Sequence, residues 1–373
     1  MDNLKLLKEK YNYSVWLDYL DRDLIENKLD DLINKGYVLG ITTNPTIFNK
    51  AISNVSYYKN RIKELKESNY YKIVEKLMIE DVKYAANKLL KVYEETQGYD
   101  GLVSIEVPPY IAYDPKATID KAIEIFNEIS MPNILIKVPG TSPGLKAIET
   151  LLYKGININI TLLFSINNYK QVLQAYVNAL NKRIQENLDI KNIVSVASFF
   201  VSRVDTAVDN LLLKINNGNI IDRFLGKLAI FNSYLAYIEY QRYFENEFKF
   251  IVSKGGKYQR ILWASTSTKN PNYHPLKYVY ELFLPNSINT LPYETLNILI
   301  NEHLKNNIDE NIFKLNLEKL NKDYILNEIK ELNKYINFEW LLNELEYKGV
   351  SLFSDSYNEI LYNVINNLEI VNA

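Results

Sequence analysis

Four segments of the chain alternate apolar and polar residues at period two. In Val103-Ser104-Ile105-Glu106-Val107, Ser104 and Glu106 share a face opposite the apolar positions. In Ile156-Asn157-Ile158-Asn159-Ile160-Thr161-Leu162, one face carries Asn157, Asn159 and Thr161. Trp16 and Asp18 share a face in Val15-Trp16-Leu17-Asp18, and Leu135 and Lys137 oppose Ile134, Ile136 and Val138. An amphipathic antiparallel sheet would alternate as well. Long helical stretches separate these strands, however, for example Thr118–Glu128 and Ile166–Arg183. That spacing predicts βα units and a parallel sheet covered by helices. In a closed barrel the apolar face meets the helices and the polar face points inward, so carboxylates, amides, hydroxyls and a lysine converge inside.

Eight strand candidates follow: Ser14–Asp18, Leu39–Asn44, Leu102–Val107, Ile134–Pro139, Ile156–Leu163, Ile193–Phe200, Ile261–Thr266 and Ser287–Leu291. Helical patterns such as Tyr70–Glu95 and Val204–Lys214 lie between most of them. The expected fold class is α/β, a (β/α)8 TIM barrel whose chemistry gathers at the C-terminal strand ends. The sixth strand and the last two alternate poorly. Ser198 shares parity with Val194 and Val196, which points to a bulge or bend there.

The 373 residues exceed what a bare barrel requires, and a hydrophobic fraction of 47% allows a sizeable core. The surplus sits at the ends. Met1–Tyr13 reads as a charged amphipathic lead-in helix, and Glu302–Ala373 has helical spacing in Phe313–Leu332 and Glu339–Glu346. The expected organisation is a barrel over residues 1–301 and a helical extension over 302–373 packed on it. A net charge of −2 gives no general basic field for nucleic acid. No apolar run approaches membrane-spanning length, and the N-terminus lacks a signal peptide's apolar core. With no cysteine there is neither a disulfide scaffold nor thiol redox chemistry, which fits the cytoplasm. The 30 tyrosines read as codon bias and carry no functional assignment. The sequence does not set the oligomeric state.

Metal chemistry finds little support. The two histidines, His274 and His303, are not in a ligand spacing, and His274 reads as a surface residue of a loop. A nitrogen- or sulfur-rich zinc site lacks its ligands. A carboxylate–Mg²⁺ site stays open, although no strand end carries two acids together. Lys137 is the most informative residue. It sits in the apolar run Ile134-Leu135-Ile136-Lys137-Val138-Pro139. Burial disfavours the cation and favours the neutral amine that Schiff-base chemistry on a carbonyl needs. A lysine held by a structural ion pair would satisfy this segment equally well.

Longer motifs narrow that choice. Trp16-Leu17-Asp18, Gly40-Ile41-Thr42-Thr43-Asn44-Pro45-Thr46-Ile47-Phe48, Ile136-Lys137-Val138-Pro139, Asn157-Ile158-Asn159-Ile160-Thr161-Leu162-Leu163-Phe164-Ser165, Val196-Ala197-Ser198-Phe199-Phe200-Val201-Ser202-Arg203 and Trp263-Ala264-Ser265-Thr266-Ser267-Thr268-Lys269 occur in order. From about Val15 to Leu296 the chain resembles the transaldolase family, in particular its longer bacterial form. The resemblance implies a transferase of the non-oxidative pentose phosphate pathway, with sugar phosphate substrates, a lysine Schiff base, and neither metal nor cofactor. By resemblance, Lys137 forms the imine and Asp18 accepts the C4 hydroxyl proton during cleavage. Glu106 works as acid–base through a water that Thr161 orients. Asn44 and Asn159 hold substrate hydroxyls and the intermediate. Arg203 and Lys269 clamp the phosphate, with Ser198 and Ser267 nearby. Shorter members of the family carry arginine where this chain has Lys269, so a point charge replaces a bidentate fork. Two alternatives remain: a fructose 6-phosphate aldolase-type enzyme releasing dihydroxyacetone, and a catalytically silent barrel used for binding. Glu106 favours transfer, because the aldolases of the superfamily usually carry glutamine there.

Overall fold

The computed structural model describes residues 3–65, 67–305 and 311–372. Met1 and Asp2 of the expected lead-in, and residues 306–310 and Ala373 of the expected extension, lie outside the described residues, as does the side chain of His303. Eight parallel strands close into a barrel in sequence order: β1 (Ser14–Leu17), β2 (Gly40–Ile41), β3 (Leu102–Glu106), β4 (Ile134–Pro139), β5 (Ile158–Leu163), β6 (Ser195–Phe200), β7 (Arg260–Ala264) and β8 (Ile288–Leu291). β8 pairs in parallel with β1, from Ser14 opposite Ile288 to Leu17 opposite Leu291. The expected (β/α)8 fold is therefore the observed one. One apolar core runs through the molecule, from Leu4 in the first helix to Val364 in the last.

The strand ends turn directly into helices. Asn44 accepts a hydrogen bond from Ile47 N, Thr141 from Gly144 N, and Ser165 from Asn167 N. Each side chain thereby satisfies a free N–H of a new helix: Pro45–Asn54, Ser142–Tyr153 and Ile166–Gln185. The positive helix ends accordingly gather at the barrel mouth.

Two local expectations need correction. β2 covers only two residues, not Leu39–Asn44. Asn44 is already the cap of the next helix, and Pro45 has no N–H with which to extend a ladder. The register irregularity falls in β5, between Ile160 and Leu163, whereas β6 pairs with β7 without interruption. Leu162 carries the bulge at φ +60, a region that branched side chains seldom enter. Asn157 precedes β5 and bridges its neighbours, accepting from Val194 N at 2.8 Å and donating to Pro132 O at 3.1 Å.

Beyond the barrel, helices cover Asn311–Glu318, Lys322–Leu332 and Phe338–Asn372. The last packs mainly against the Pro45–Asn54 helix and also touches β5.

Candidate active site

Parallel pairing brings three polar side chains into one row. Glu106 on β3 lies opposite Lys137 on β4, and Lys137 lies opposite Asn159 on β5. All three are buried. Alternate residues of a strand share a face, so the period-two pattern delivers them to the barrel interior. Lys137 Nζ donates to the Thr43 carbonyl at 2.9 Å. It stands 3.9 Å from Glu106 Oε2, within ion-pair range but too far for a hydrogen bond. Glu106 Oε2 has no protein hydrogen-bond partner. Burial pushes the Glu106 carboxyl up to about 7; Lys137 opposes that shift and Asp18 adds to it. Glu106 is therefore poised to exchange a proton near neutral pH.

Asp18 follows the end of β1. Thr42 Oγ1 lies 2.7 Å from Asp18 Oδ1 and 2.6 Å from Thr290 Oγ1. Burial raises the Asp18 carboxyl above its ordinary value, against Lys137, the Thr42 hydrogen bond and the more distant Arg203 and Lys269.

The amide of Asn159 is fixed from both sides. Its nitrogen donates to Ser104 Oγ at 3.0 Å, and its oxygen accepts from Ser198 Oγ at 2.7 Å. Thr161, two residues further along β5, is fully buried, and its hydroxyl has no protein partner.

The mouth is cationic. Arg203 lies in the first turn of the Ser202–Ile215 helix after β6, and Lys269 follows β7. Arg203 Nη1 is buried without a protein acceptor. Burial lowers the Arg203 pKa, against the attraction of Asp18 and Glu106. Lys269 Nζ donates to Ser267 Oγ at 2.8 Å. Burial, Arg203 and Lys50 lower the Lys269 pKa.

One cavity of about 560 Å³, a size suited to a small ligand, joins Lys137 and Asp18 to the cations of the mouth. Asp18, Asn44, Lys137, Ser198, Arg203, Ser267 and Lys269 line it. Glu106, Asn159 and Thr161 are not part of that lining; they belong to the strands β3 and β5 that flank Lys137. Sequence reasoning assigned no role to Thr42, Thr43 and Thr290, which contact Asp18 and Lys137 directly or through one hydroxyl. The strand-end run Thr42-Thr43-Asn44 was the available signal. It also missed Lys50 and Phe353, which line the cavity from helices. Nothing in the local pattern of either helix marks them.

Residues 15–364 match the family model described as Transaldolase/Fructose-6-phosphate aldolase. The chain belongs to this family. Among its relatives, the "Transaldolase" of Trichodesmium erythraeum is 38% identical, with 97% of this chain and 95% of that protein covered. The "Transaldolase 2" of Nostoc punctiforme is 38% identical, with 97% of each covered. The "Transaldolase" of Mycolicibacterium smegmatis is 42% identical over 76% of this chain and 77% of its own length. The transaldolase-family match continues past Leu296 into the last helix, further than the motifs reach. Among the described residues no helix is long and apolar enough to cross a membrane, and no group of three histidines or acids is arranged to hold a metal ion.

Proposed function

We infer that the protein is a transaldolase. It moves a dihydroxyacetone unit from a ketose phosphate, fructose 6-phosphate or sedoheptulose 7-phosphate, to an aldose phosphate. The acceptors are erythrose 4-phosphate and glyceraldehyde 3-phosphate, and the reaction belongs to the non-oxidative pentose phosphate pathway. One observation carries the reading within the site: a buried lysine amine shares a cavity with the Asp18 carboxylate and with three further cations, Lys50, Arg203 and Lys269.

The residue roles are those that the family resemblance implies, and the placement of Lys137, Asp18, Arg203 and Lys269 around one cavity supports them. The Lys137 amine attacks the C2 carbonyl, and the carbinolamine loses its oxygen as water. Glu106 supplies and removes protons in these steps, through a water that Thr161 orients. The resulting iminium draws in the electrons of the C3–C4 bond as Asp18 takes the C4 hydroxyl proton. The aldose phosphate leaves, and C3 of the retained enamine attacks the acceptor aldehyde, whose oxygen takes the proton back. Water then adds to the new iminium at C2 and the C–N bond breaks, which releases the product ketose phosphate and restores the Lys137 amine. Asn44 and Asn159 hold the hydroxyls and the intermediate; Ser198 fixes Asn159. Arg203, Lys269 and Ser267 receive the phosphate.

The barrel over residues 1–301 supplies the side chains given roles above, and the described helices of the extension from residue 302 onward pack on it. The protein works in the cytoplasm, where sugar phosphates are made and consumed. Buried polar atoms on Glu106, Thr161 and Arg203 without protein partners argue against a silent barrel, because a retired site has no reason to carry that cost. Plain aldol release remains the second reading, and Glu106 is the residue that speaks against it.

The test is borohydride trapping with fructose 6-phosphate, followed by digestion and mass spectrometry. The reduced adduct is expected on Lys137. An adduct on Lys146 or Lys154 instead would end the assignment.

A further inference from the structure

The cavity has one wall that does not come from the barrel. Phe353, on the Phe338–Asn372 helix, lines it together with Arg203 and Phe200. The Arg203 guanidinium carbon lies 5.3 Å from the Phe200 ring centre and 5.8 Å from that of Phe353. Both distances are within cation–π range. Phe353 is only 3% exposed.

The helix is held on both sides of this contact. Before it, Glu339 accepts from Ser165 Oγ at 3.1 Å and from Asn167 Nδ2 at 3.2 Å, and Glu346 accepts from Asn168. Two carboxylates thus sit at the positive end of the Ile166–Gln185 helix. After it, Ser356 pairs with Thr46 at 2.8 Å and Glu359 accepts from Asn49 at 2.6 Å, both on the Pro45–Asn54 helix. Gly349 permits the close crossing between these anchors. A Cβ there would meet Leu162 Cδ2 at 2.8 Å and Arg203 Nη1 at 3.6 Å.

We propose that Phe353 is the positioning residue of the phosphate-binding arginine, so that the last helix supplies a working wall of the active site. The proposal rests on the sugar-phosphate reading above. An arginine side chain has many rotamers, and holding one of them costs entropy each time a ligand is bound. Phe200 and Phe353 restrict the guanidinium plane in advance. Arg203 lines the cavity and is only partly buried, so the side of the guanidinium turned toward the cavity is left open to an anion, while Nη1 is enclosed beside Gly349. Phe200 belongs to a strand of the barrel; Phe353 is the ring contact to Arg203 that the extension contributes.

The test uses Phe353→Leu, which keeps an apolar side chain and removes the ring. KM for fructose 6-phosphate should rise about three- to tenfold, the range of one cation–π contact, while kcat stays within about twofold. KM for unphosphorylated dihydroxyacetone as donor should not move, and Phe353→Tyr should restore the KM for fructose 6-phosphate. In an Arg203→Ala background, Phe353→Leu should add nothing. Calorimetric binding of inorganic phosphate reads the same contact without turnover and should weaken by the same factor. Equal losses with and without Arg203, or on both donors together with a lower melting temperature, would overturn the proposal and leave Phe353 as a packing residue. The two readings fail differently. A wild-type protein that forms no borohydride adduct removes the transaldolase reading, while the phosphate titration still decides the role of Phe353.

Discussion

The two ends of this barrel bury charge in opposite ways. At the N-terminal end, Arg260 and Asp100 are almost fully enclosed. Arg260 donates to Asp100 Oδ1 and to the carbonyls of Tyr99, Asn12 and Ser287, and to Ser14 Oγ at 2.7 Å, leaving only Nε without a protein partner. Asp100 further accepts from Ser14 and Trp16 and pairs with Lys8 of the first helix at 2.5 Å. At the C-terminal end, Lys137 has one carbonyl acceptor, and atoms of Glu106, Thr161 and Arg203 have no protein partner. A network with most of its bonds made rigidifies; one with several left open is expensive and persists where a substrate completes it. The titration of the two ends carries the same contrast. Burial pulls the Asp100 carboxyl up, but Arg260, Lys8 and the hydrogen bonds outweigh it and hold the group below its ordinary value. Glu106 is raised. Acid therefore removes the stability that Asp100 contributes, as pH falls through its folded value, whereas rising pH removes that of Glu106.

The most direct way to break this comparison is at its reactive member. Lys137→Ala should eliminate turnover and the trapped adduct, a loss of roughly 10⁴-fold or more for an essential nucleophile. Unfolding in urea should stay cooperative. Comparable activity in the variant, assayed with fructose 6-phosphate and erythrose 4-phosphate, would place the imine elsewhere.

The matching experiment at the other end is Asp100→Asn. It leaves Arg260 buried without its counter-charge, a change that typically costs about 3–5 kcal/mol. The urea midpoint should fall, while kcat and KM of the folded enzyme should stay near wild type. A selective loss of activity without loss of stability would dissolve the division of labour between the two ends.

These two ends were not equally legible in the sequence. Glu106, Lys137 and Asn159 sit in period-two strands, so their common face followed from alternation alone, and parallel pairing put them in one row. Thr42 and Thr43 lie where alternation stops, at a strand that ends after two residues. Phe353 reaches the cavity by tertiary crossing, and Asp100 meets Arg260 across the barrel floor from a loop. Local periodicity carries no information about either approach. The bulge was expected on β6 because Ser198 broke parity, but it lies on β5, where the helix containing Gly349 crosses Leu162.

Glu106→Gln sharpens the comparison from the reactive side. An amide keeps the shape and cannot exchange a proton, so transfer to erythrose 4-phosphate should drop by roughly a hundredfold. The share of donor released as free dihydroxyacetone should rise, measured as product partitioning at varied acceptor. Stability should change as well. Between the ordinary glutamate value of 4.5 and about 7, the folded protein holds a proton that the unfolded chain does not. That contribution is complete at low pH and is lost as pH climbs to about 7. The variant should therefore match wild type in thermal unfolding near pH 5 and exceed it near pH 8, by up to about 3 kcal/mol. An unchanged transfer rate would remove Glu106 from the mechanism and leave Asp18 as the acid–base group.

The smallest expected effect lies at the rim, where Lys269→Arg tests whether the cations there await a phosphate. Lys269 is exposed, and its ammonium is a point charge held toward Ser267. A guanidinium can instead offer two parallel donors to a phosphate. KM for fructose 6-phosphate should fall by about two- to fivefold, with kcat and the KM for unphosphorylated donors unchanged. Two further signatures separate phosphate binding from a general change of surface. Raising ionic strength should shrink the gain, because an exposed contact is screened. Raising pH should widen it: partial desolvation at the rim, together with Arg203 and Lys50, lowers the Lys269 pKa, so the lysine sheds its proton earlier than an ordinary one, and arginine keeps its charge throughout. If KM is instead indifferent to the substitution at every pH and salt concentration, Lys269 is a solvated surface charge, and the phosphate is held by Arg203 without it.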